Sequence, residues 1–311
     1  MGNAICQYPT PRGRLVKTFG VKHNQKDTYG PTGGGDAGPT PNFFYDYSIN
    51  DKRRDVTCVP YLWSKTTVNV QELNALNSWY FGKYRYEWMD REGLSDDDGV
   101  NKQYMRYADV VLMRAELENE LNSPSAAAPY LKKIRQRAFA QTDWSTEVDA
   151  YVTSVSGSKD AMFKAIVDER AFEFCGEMLR KADLIRWGLL KSKLDETKQK
   201  MRDLRTLSGD YSDLNNTLYY NMVDFKWIRN KKENITENAA LQIYGLNHGE
   251  TGVPSGTYEF KKEWIKEDKI ADKKLESLYL NDPDKFMYWP IFDYNIEASN
   301  GTLSNYSWYT F

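Results

Sequence analysis

The most patterned polar stretch of the chain lies between Glu169 and Gly188, where Glu169, Arg170, Glu173, Glu177, Arg180, Asp183, Arg186 and Trp187 recur mostly at spacings of three and four. On a helix turning about 100° per residue, Glu169, Glu173, Glu177, Arg180 and Asp183 fall on one side. Two carboxylates facing each other across a cleft, roughly 5–10 Å apart, could cleave a glycosidic bond. Acids stacked along a single helix and interleaved with guanidinium groups neutralise one another instead, whereas catalytic acids usually face an open pocket. The string reads as ion pairing within the helix that braces its neighbours, and no catalytic residue is assigned.

A different chemistry is written between residues 61 and 88, which hold Tyr61, Trp63, Trp79, Tyr80, Phe81, Tyr84, Tyr86 and Trp88. Sugar rings present apolar C–H faces that stack on Trp and Tyr, and rigid aromatic side chains lose little entropy on binding. Tyr61, Trp63, Trp79, Tyr80 and Trp88 are therefore the candidate ligand-binding residues, chosen on local aromatic density. The competing use of the same rings is cross-strand packing.

The remaining motifs carry less. Asp96-Asp97-Asp98-Gly99 resembles the start of a Ca²⁺ loop, but Tyr107 stands where the bidentate Glu is required, so a solvated turn is expected. His23 and His248 are the only histidines and lie far apart, which leaves little material for a metal site or a Ser-His-Asp triad. Gly33-Gly34-Gly35 precedes Asp36 rather than Lys-Ser/Thr and is not a phosphate loop. Cys6, Cys58 and Cys175 form no C-x-x-C and read as buried free thiols. No metal and no cofactor are expected.

These residues sit in a chain of 311 residues with 41% hydrophobic and 28% charged residues, an ordinary globular composition. The formal charge of −2 supplies no overall field to hold nucleic acid. Aromatic residues make up 14% of the chain although the mean hydropathy is only −0.71, so some rings are expected at the surface. No apolar run approaches the roughly 18 residues of a membrane span. Residues 1–60 lack helical periodicity and predict loops with short strands, and the alternation Tyr80-Gly82-Tyr84-Tyr86-Trp88 predicts a strand. From residue 103 the period becomes helical, with Tyr104, Ala108, Val111, Leu112 and Ala115 on one stripe ending near Pro124. A second helix is predicted over 126–139, with Leu131, Ile134 and Ala138 inward. A third runs from an Asp160 cap to a stop at Gly188. Residues 200–311 predict loops, short strands and a helix around 262–278. The division expected is a loop-rich ligand lobe over 1–100, a helical scaffold over 103–190 and a mixed segment over 200–311.

Several blocks together resemble the SusD/RagB family of outer-membrane nutrient-binding lipoproteins of Bacteroidetes. Arg106-Tyr107-Ala108-Asp109-Val110-Val111-Leu112-Met113-Arg114-Ala115-Glu116 is similar to one family helix. Leu131, Ile134, Arg135, Arg137 and Ala138 follow, and then comes a gapless match at Glu169, Arg170, Glu173, Glu177, Arg180, Asp183, Leu184, Arg186, Trp187 and Gly188. Asp51-x-Arg53-Arg54-Asp55, Gly82-Lys83-Tyr84, Trp289-Pro290-Ile291 and Asn305-Tyr306 agree as well. Gly176 and Met178 depart from the pattern, standing where the family has a larger apolar residue and a Gly; Phe292 replaces a Pro.

The resemblance implies a mainly α-helical fold in which tetratricopeptide-like helix pairs support a loop-rich binding lobe with short strands. It implies the C-terminal portion of such a protein, without the N-terminal helical half. It further implies a non-enzymatic, cell-surface glycan-binding protein that captures nutrient for a SusC-like TonB-dependent transporter. The protein would face outward from the outer membrane, on a lipid anchor carried by the full-length chain, with membrane contact by no other means. Two rival readings are a helical-repeat scaffold that binds only the transporter, or peptide in place of glycan, and a glycoside hydrolase.

Overall fold

Proline and glycine punctuate the first third of the chain and keep its elements short. The computed structural model describes residues 14–89, 93, 99–229 and 234–305; Cys6 and the Asp96–Asp98 turn lie outside them. Single helical turns α1 (Leu15–Phe19), α2 (Pro41–Asp46) and α3 (Arg54–Thr57) alternate with irregular chain. Pro41 opens α2, where its fixed φ suits the first helical position. The strands are equally brief: β1 (Cys58–Val59), β2 (Tyr61–Trp63), β3 (Gln71–Leu73) and β4 (Tyr80–Phe81) form two antiparallel pairs, β1 with β4 and β2 with β3. The strand predicted over 80–88 stops after two residues. Gly82 lies so close to the Val56 carbonyl that no Cβ fits there, and the Arg85 Nε–H donates back to the Gly82 carbonyl at 2.6 Å, turning the chain into a helical turn at Tyr86–Trp88.

The helical scaffold starts with α4 (Tyr107–Leu121) and α5 (Pro124–Ala138), an antiparallel hairpin. Ser123 separates them and caps α5, its Oγ accepting from the Ala126 N–H at 3.1 Å. After a π-helical turn at Trp144–Ala150 and the short α6 (Tyr151–Val155), Ser158 rather than Asp160 caps α7 (Lys159–Phe174). Ala108, Val111, Leu112 and Ala115 of α4 meet Leu131 and Ile134 of α5 and Met162, Ala165 and Ile166 of α7 in one core. The predicted stripe is therefore inward-facing, except for Tyr104, which precedes the helix and is exposed.

The third helix is not continuous. It stops at Phe174, and a turn through Gly176 (φ +79°) and Met178 (φ +65°) leads to α8 (Arg180–Arg186), which ends at Gly188 (φ +67°) as its sequence predicts. Two consequential elements are not marked by the sequence reading. One is α9 (Leu190–Arg205), whose Met201 and Leu204 enter a core with Phe44, Tyr45, Trp79, Leu218 and Trp264. The other is a long hairpin of β5 (Thr217–Arg229) and β6 (Asn234–Tyr244), in register from Tyr219↔Tyr244 to Arg229↔Asn234. The helix predicted around 262–278 is instead β7 (Phe260–Glu263), which adds to the free edge of β5, and the one-turn α10 (Asp272–Glu276). The hairpin docks on the first third of the chain through the Gln71 Oε1, which accepts from the Leu241 N–H at 3.1 Å. A last turn, α11 (Asp293–Ala298), completes the described chain.

Candidate ligand-binding site

The charged string of α7 and α8 is spent on structure. Glu169 and Glu173 are buried on α7, and their partners come from other elements. Arg53 Nη1 lies 2.7 Å from Glu169 Oε1 and 2.9 Å from Glu173 Oε2. Arg135 of α5 reaches Glu169 Oε2 at 2.9 Å, while Arg106, just before α4, meets Glu173 Oε1 at 2.5 Å and Glu177 Oε2 at 2.7 Å. Arg137 also pairs with Glu173, and Lys83 Nζ reaches Glu177 Oε1 at 2.5 Å. Arg170 joins Asp183 of α8 at 2.8 Å and Asp109 of α4 at 2.7 Å. The pairing expected within one helix is thus mostly pairing between elements, because the break at 175–179 sends Asp183 back against Arg170. Arg180 makes no ion pair of this kind; it donates to the Val167 carbonyl at 2.8 Å, and burial lowers its pKa. Burial raises the Glu173 pKa, but Arg106, Arg53 and Arg137 together hold the carboxyl below the usual range. These acids face guanidinium groups rather than an open cavity.

The five candidate rings are dispersed. Trp79 is 3% exposed, stacks on Phe44 at 4.7 Å between centroids and donates its Nε1–H to the Leu76 carbonyl at 2.8 Å. Trp63, 2% exposed, stacks on His23 at 5.9 Å in a separate core with Val16, Tyr29 and Tyr86. Tyr80, 7% exposed, belongs to that second core as well. Tyr61 is partly buried; its hydroxyl accepts from Arg85 Nη1 at 2.6 Å, and burial, opposed by Arg85, pushes its phenol up to about 12. Trp88 alone of the five is broadly open, at 44%, with the Arg85 guanidinium 4.7 Å from its ring centroid. The surface exposure expected of this group therefore fails for Trp63, Trp79 and Tyr80, which are buried in or beside strands only two or three residues long, too short for alternation to separate an outer ring from an inner one.

A concavity lies elsewhere, a hollow of about 480 Å³ between α2, α7, α9, the helical turn at Gly209–Tyr211 and the loop at 248. Phe43, Tyr45 and Phe172 supply aromatic wall, with Phe43 stacked on Phe172 at 5.8 Å. Polar groups ring them. Lys200 Nζ lies 2.9 Å from Asp46 Oδ1, and burial, against the pull of Lys200, raises the Asp46 carboxyl. His248 holds Asp213 at 2.8 Å through Nδ1 and approaches the Tyr45 carbonyl at 3.3 Å through Nε2. Burial pushes the Tyr211 phenol well up, keeping it a neutral hydrogen-bonding group. Lys164 and Asp210 stand at the rim, both exposed. Concave, ring-walled sites with a few converging polar groups are where small ligands bind. None of the five sequence candidates lines it. The signal that could have found it is Phe43-Phe44-Tyr45-Asp46-Tyr47, which follows Pro41-Asn42, an aromatic run behind a helix-opening proline. Among the described residues no group of three or more His, Cys, Asp or Glu side chains could hold a metal ion.

A helical hairpin clamped by a buried ion lattice, carrying short-stranded aromatic loops and a ring-walled polar hollow, defines a scaffold-and-lobe class of protein. The chain belongs to the SusD family, whose model matches residues 22–308. It is 48% identical over 92 residues to a SusD-like protein of Formosa agariphila, covering 29% of this chain and 16% of that one. In fold it is similar to a SusD homologue from Bacteroides thetaiotaomicron, with a TM-score of 0.53 and 20% identity over 63% of this chain and 41% of that one. It is also similar, at a TM-score of 0.38 and 21% identity over 58% of this chain and 38% of that one, to surface glycan-binding protein A from the same organism, solved in complex with laminarihexaose. The match thus spans less than half the length of each of these relatives.

Proposed function

We propose that this chain is part of a non-enzymatic glycan-capture protein, and that the hollow beside Tyr45 is where a sugar unit sits. Family membership makes a binding role the natural reading. The single observation that carries the glycan assignment is the hollow: aromatic wall for the C–H faces of a sugar, with Lys200, His248, Lys164 and Asp210 placed around it for hydroxyl groups. Trp88 and the open part of Tyr61 serve as an outlying stacking contact, while Trp63, Trp79 and Tyr80 support the lobe from behind. In the same reading the protein holds its ligand for a SusC-like TonB-dependent transporter, facing outward from the outer membrane on a lipid anchor of the full-length chain. Affinity is modest, since a solvent-open hollow buries few contacts.

The test is a glycan-array or affinity-gel screen on the protein, followed by Lys164→Ala and Asp210→Ala at the exposed rim. Binding to one glycan class, weakened about 5-fold or more by either change with Tm unmoved, is the expected outcome; about 1.4 kcal/mol per tenfold sets that scale. Failure to bind any glycan, with retention of peptide or of the transporter alone, would move the assignment to a scaffold. The least favoured reading, a glycoside hydrolase, rests on the raised Asp46 carboxyl facing the hollow. Sustained release of reducing ends, abolished in Asp46→Asn, would establish it; no turnover is expected.

A further inference from the structure

Two cysteines far apart in sequence, neither of which lines the hollow, are brought together where β1 meets the end of α7. Cys58 lies in β1 and is fully buried; its cross-strand partner in β4 is Phe81. The Phe81 side chain in turn lies against Gly176, where a Cβ would come within 3.2 Å of it. Lys83, two residues beyond Phe81, donates from Nζ to the Glu173 carbonyl at 2.6 Å. The β1–β4 pair is therefore seated on the C-terminal end of α7, next to Cys175, and burial together with the neighbouring Cys175 thiol raises the Cys58 pKa. Tyr47 sits beside both, its hydroxyl donating to the Phe172 carbonyl at 2.9 Å. Cys175 differs from Cys58 in access. It is only partly buried and lines an apolar groove of about 310 Å³ walled by Phe19, Phe81, Phe174, Leu184 and Leu194.

We propose that Cys58 and Cys175 are a disulfide-forming pair, closed by a small organic disulfide that enters the apolar groove, and that the resulting bond staples β1 to the end of α7. The chemistry needs one oxidant molecule and two exchange steps. The Cys175 thiolate attacks one sulfur of the oxidant, expelling one thiol and leaving a mixed disulfide. The Cys58 thiolate then attacks the Cys175 sulfur, expelling the second thiol. Two protein thiols lose two electrons and two protons, and the oxidant's disulfide is reduced to two thiols. Access fixes the order, because Cys58 has no exposed surface for the first encounter. Burial pushes the Cys58 thiol up, so the second step waits on a scarce thiolate and accelerates as pH rises. The loop closed, from 58 to 175, is long, the case in which a cross-link restricts the unfolded chain most.

The experiment uses the chain with Cys6→Ser, which leaves two thiols, treated with cystamine while folded. The expected result is an intact mass lower by two hydrogens, no titratable thiol, and a peptide map joining Cys58 to Cys175 in a monomeric product that melts at higher temperature. Cys58→Ser added to the same background is expected to stop at a cysteamine adduct on Cys175. A persistent adduct with Cys58 present, or two thiols that survive in the folded protein yet oxidise in denaturant, would overturn the proposal.

Discussion

Trp79 and Trp88 are the same residue type nine positions apart, with opposite fates. Trp79 fills the space between Phe44 and Trp264 and spends its indole N–H on the Leu76 carbonyl. Trp79→Ala removes that volume from a sealed core and is expected to cost about 3–5 kcal/mol, read as a lower denaturant midpoint. Trp88→Ala leaves the core intact. It is expected to leave stability within roughly 0.5 kcal/mol of the parent while weakening retention in a glycan affinity gel. A Trp88→Ala protein that binds unchanged would remove that ring from the site. Met178 offers a third test at this scale. It holds φ +65° in the turn between α7 and α8, a conformation in which a side chain is strained, at the position where the family pattern has Gly. Met178→Gly is expected to stabilise by about 1 kcal/mol, measured as a raised urea midpoint; a drop would show that the Met side chain contributes more in the apolar groove than its backbone strain costs.

At the scale of elements, α7 shows what buried ions do for a helical scaffold. Glu173 receives Arg106, Arg53 and Arg137 from three separate segments, so its carboxylate fixes where those segments meet. Glu173→Gln keeps the shape but removes the carboxylate that the three guanidinium groups share; Arg53 keeps Glu169 and Arg106 keeps Glu177, so the expected loss is about 2–3 kcal/mol, at or below the lower end of the cost of breaking a buried pair outright. Replacing exposed Glu120, which pairs with Lys159 at 3.1 Å, is expected to change stability by less than about 1 kcal/mol. Equal effects at the two positions would show that the lattice has no special weight. The helical hairpin was legible in the sequence because Ala108, Leu112, Leu131 and Ile134 keep a helical period and Ser123-Pro124 marks the joint. The inter-element pairing was not, since a spacing of four suits partners on the same helix as well as partners on another. The hollow was less legible still: Phe43 and Tyr45 are about 150 residues or more from Lys200 and His248 in the chain, and the packing of α2 against α9 brings them together. The β5–β6 hairpin escaped notice because Tyr219-Tyr220 and Lys226-Trp227 break a clean alternation of apolar and polar residues.

Over the whole molecule, titrating groups on two separate cores limit stability from opposite sides of neutral pH. On the acid side, Glu173 and Glu116 both have carboxyls held below their ordinary value, burial opposing and Arg partners prevailing. Their contribution is present above the unfolded carboxylate range, near pH 4.3, and is lost as pH falls through the lower folded values. On the alkaline side the determining group is His23, buried in the aromatic lobe. Burial alone would lower its pKa, but Asp27 at 2.5 Å and Glu87 at 3.8 Å raise it from 6.5 to about 9. Arg85, 3.6 Å from Glu87, is the other cation facing this cluster, while Trp63 and Tyr86 enclose the imidazole. A raised folded pKa contributes stability that is complete below pH 6.5 and disappears as pH climbs through 9. Deprotonation there takes the imidazolium away from two buried carboxylates, of which Glu87 keeps Arg85 beside it. Unfolding free energy is therefore expected to fall between pH 6.5 and 9, with a slope of at most about 1.4 kcal/mol per pH unit for this one proton. His23→Gln, which cannot titrate, is expected to lower stability at pH 6 and to flatten the slope above it. The measurement is urea unfolding at half-unit steps of pH, followed by Trp fluorescence. A parent and a variant with parallel profiles would show that the imidazolium is not what holds the lobe closed.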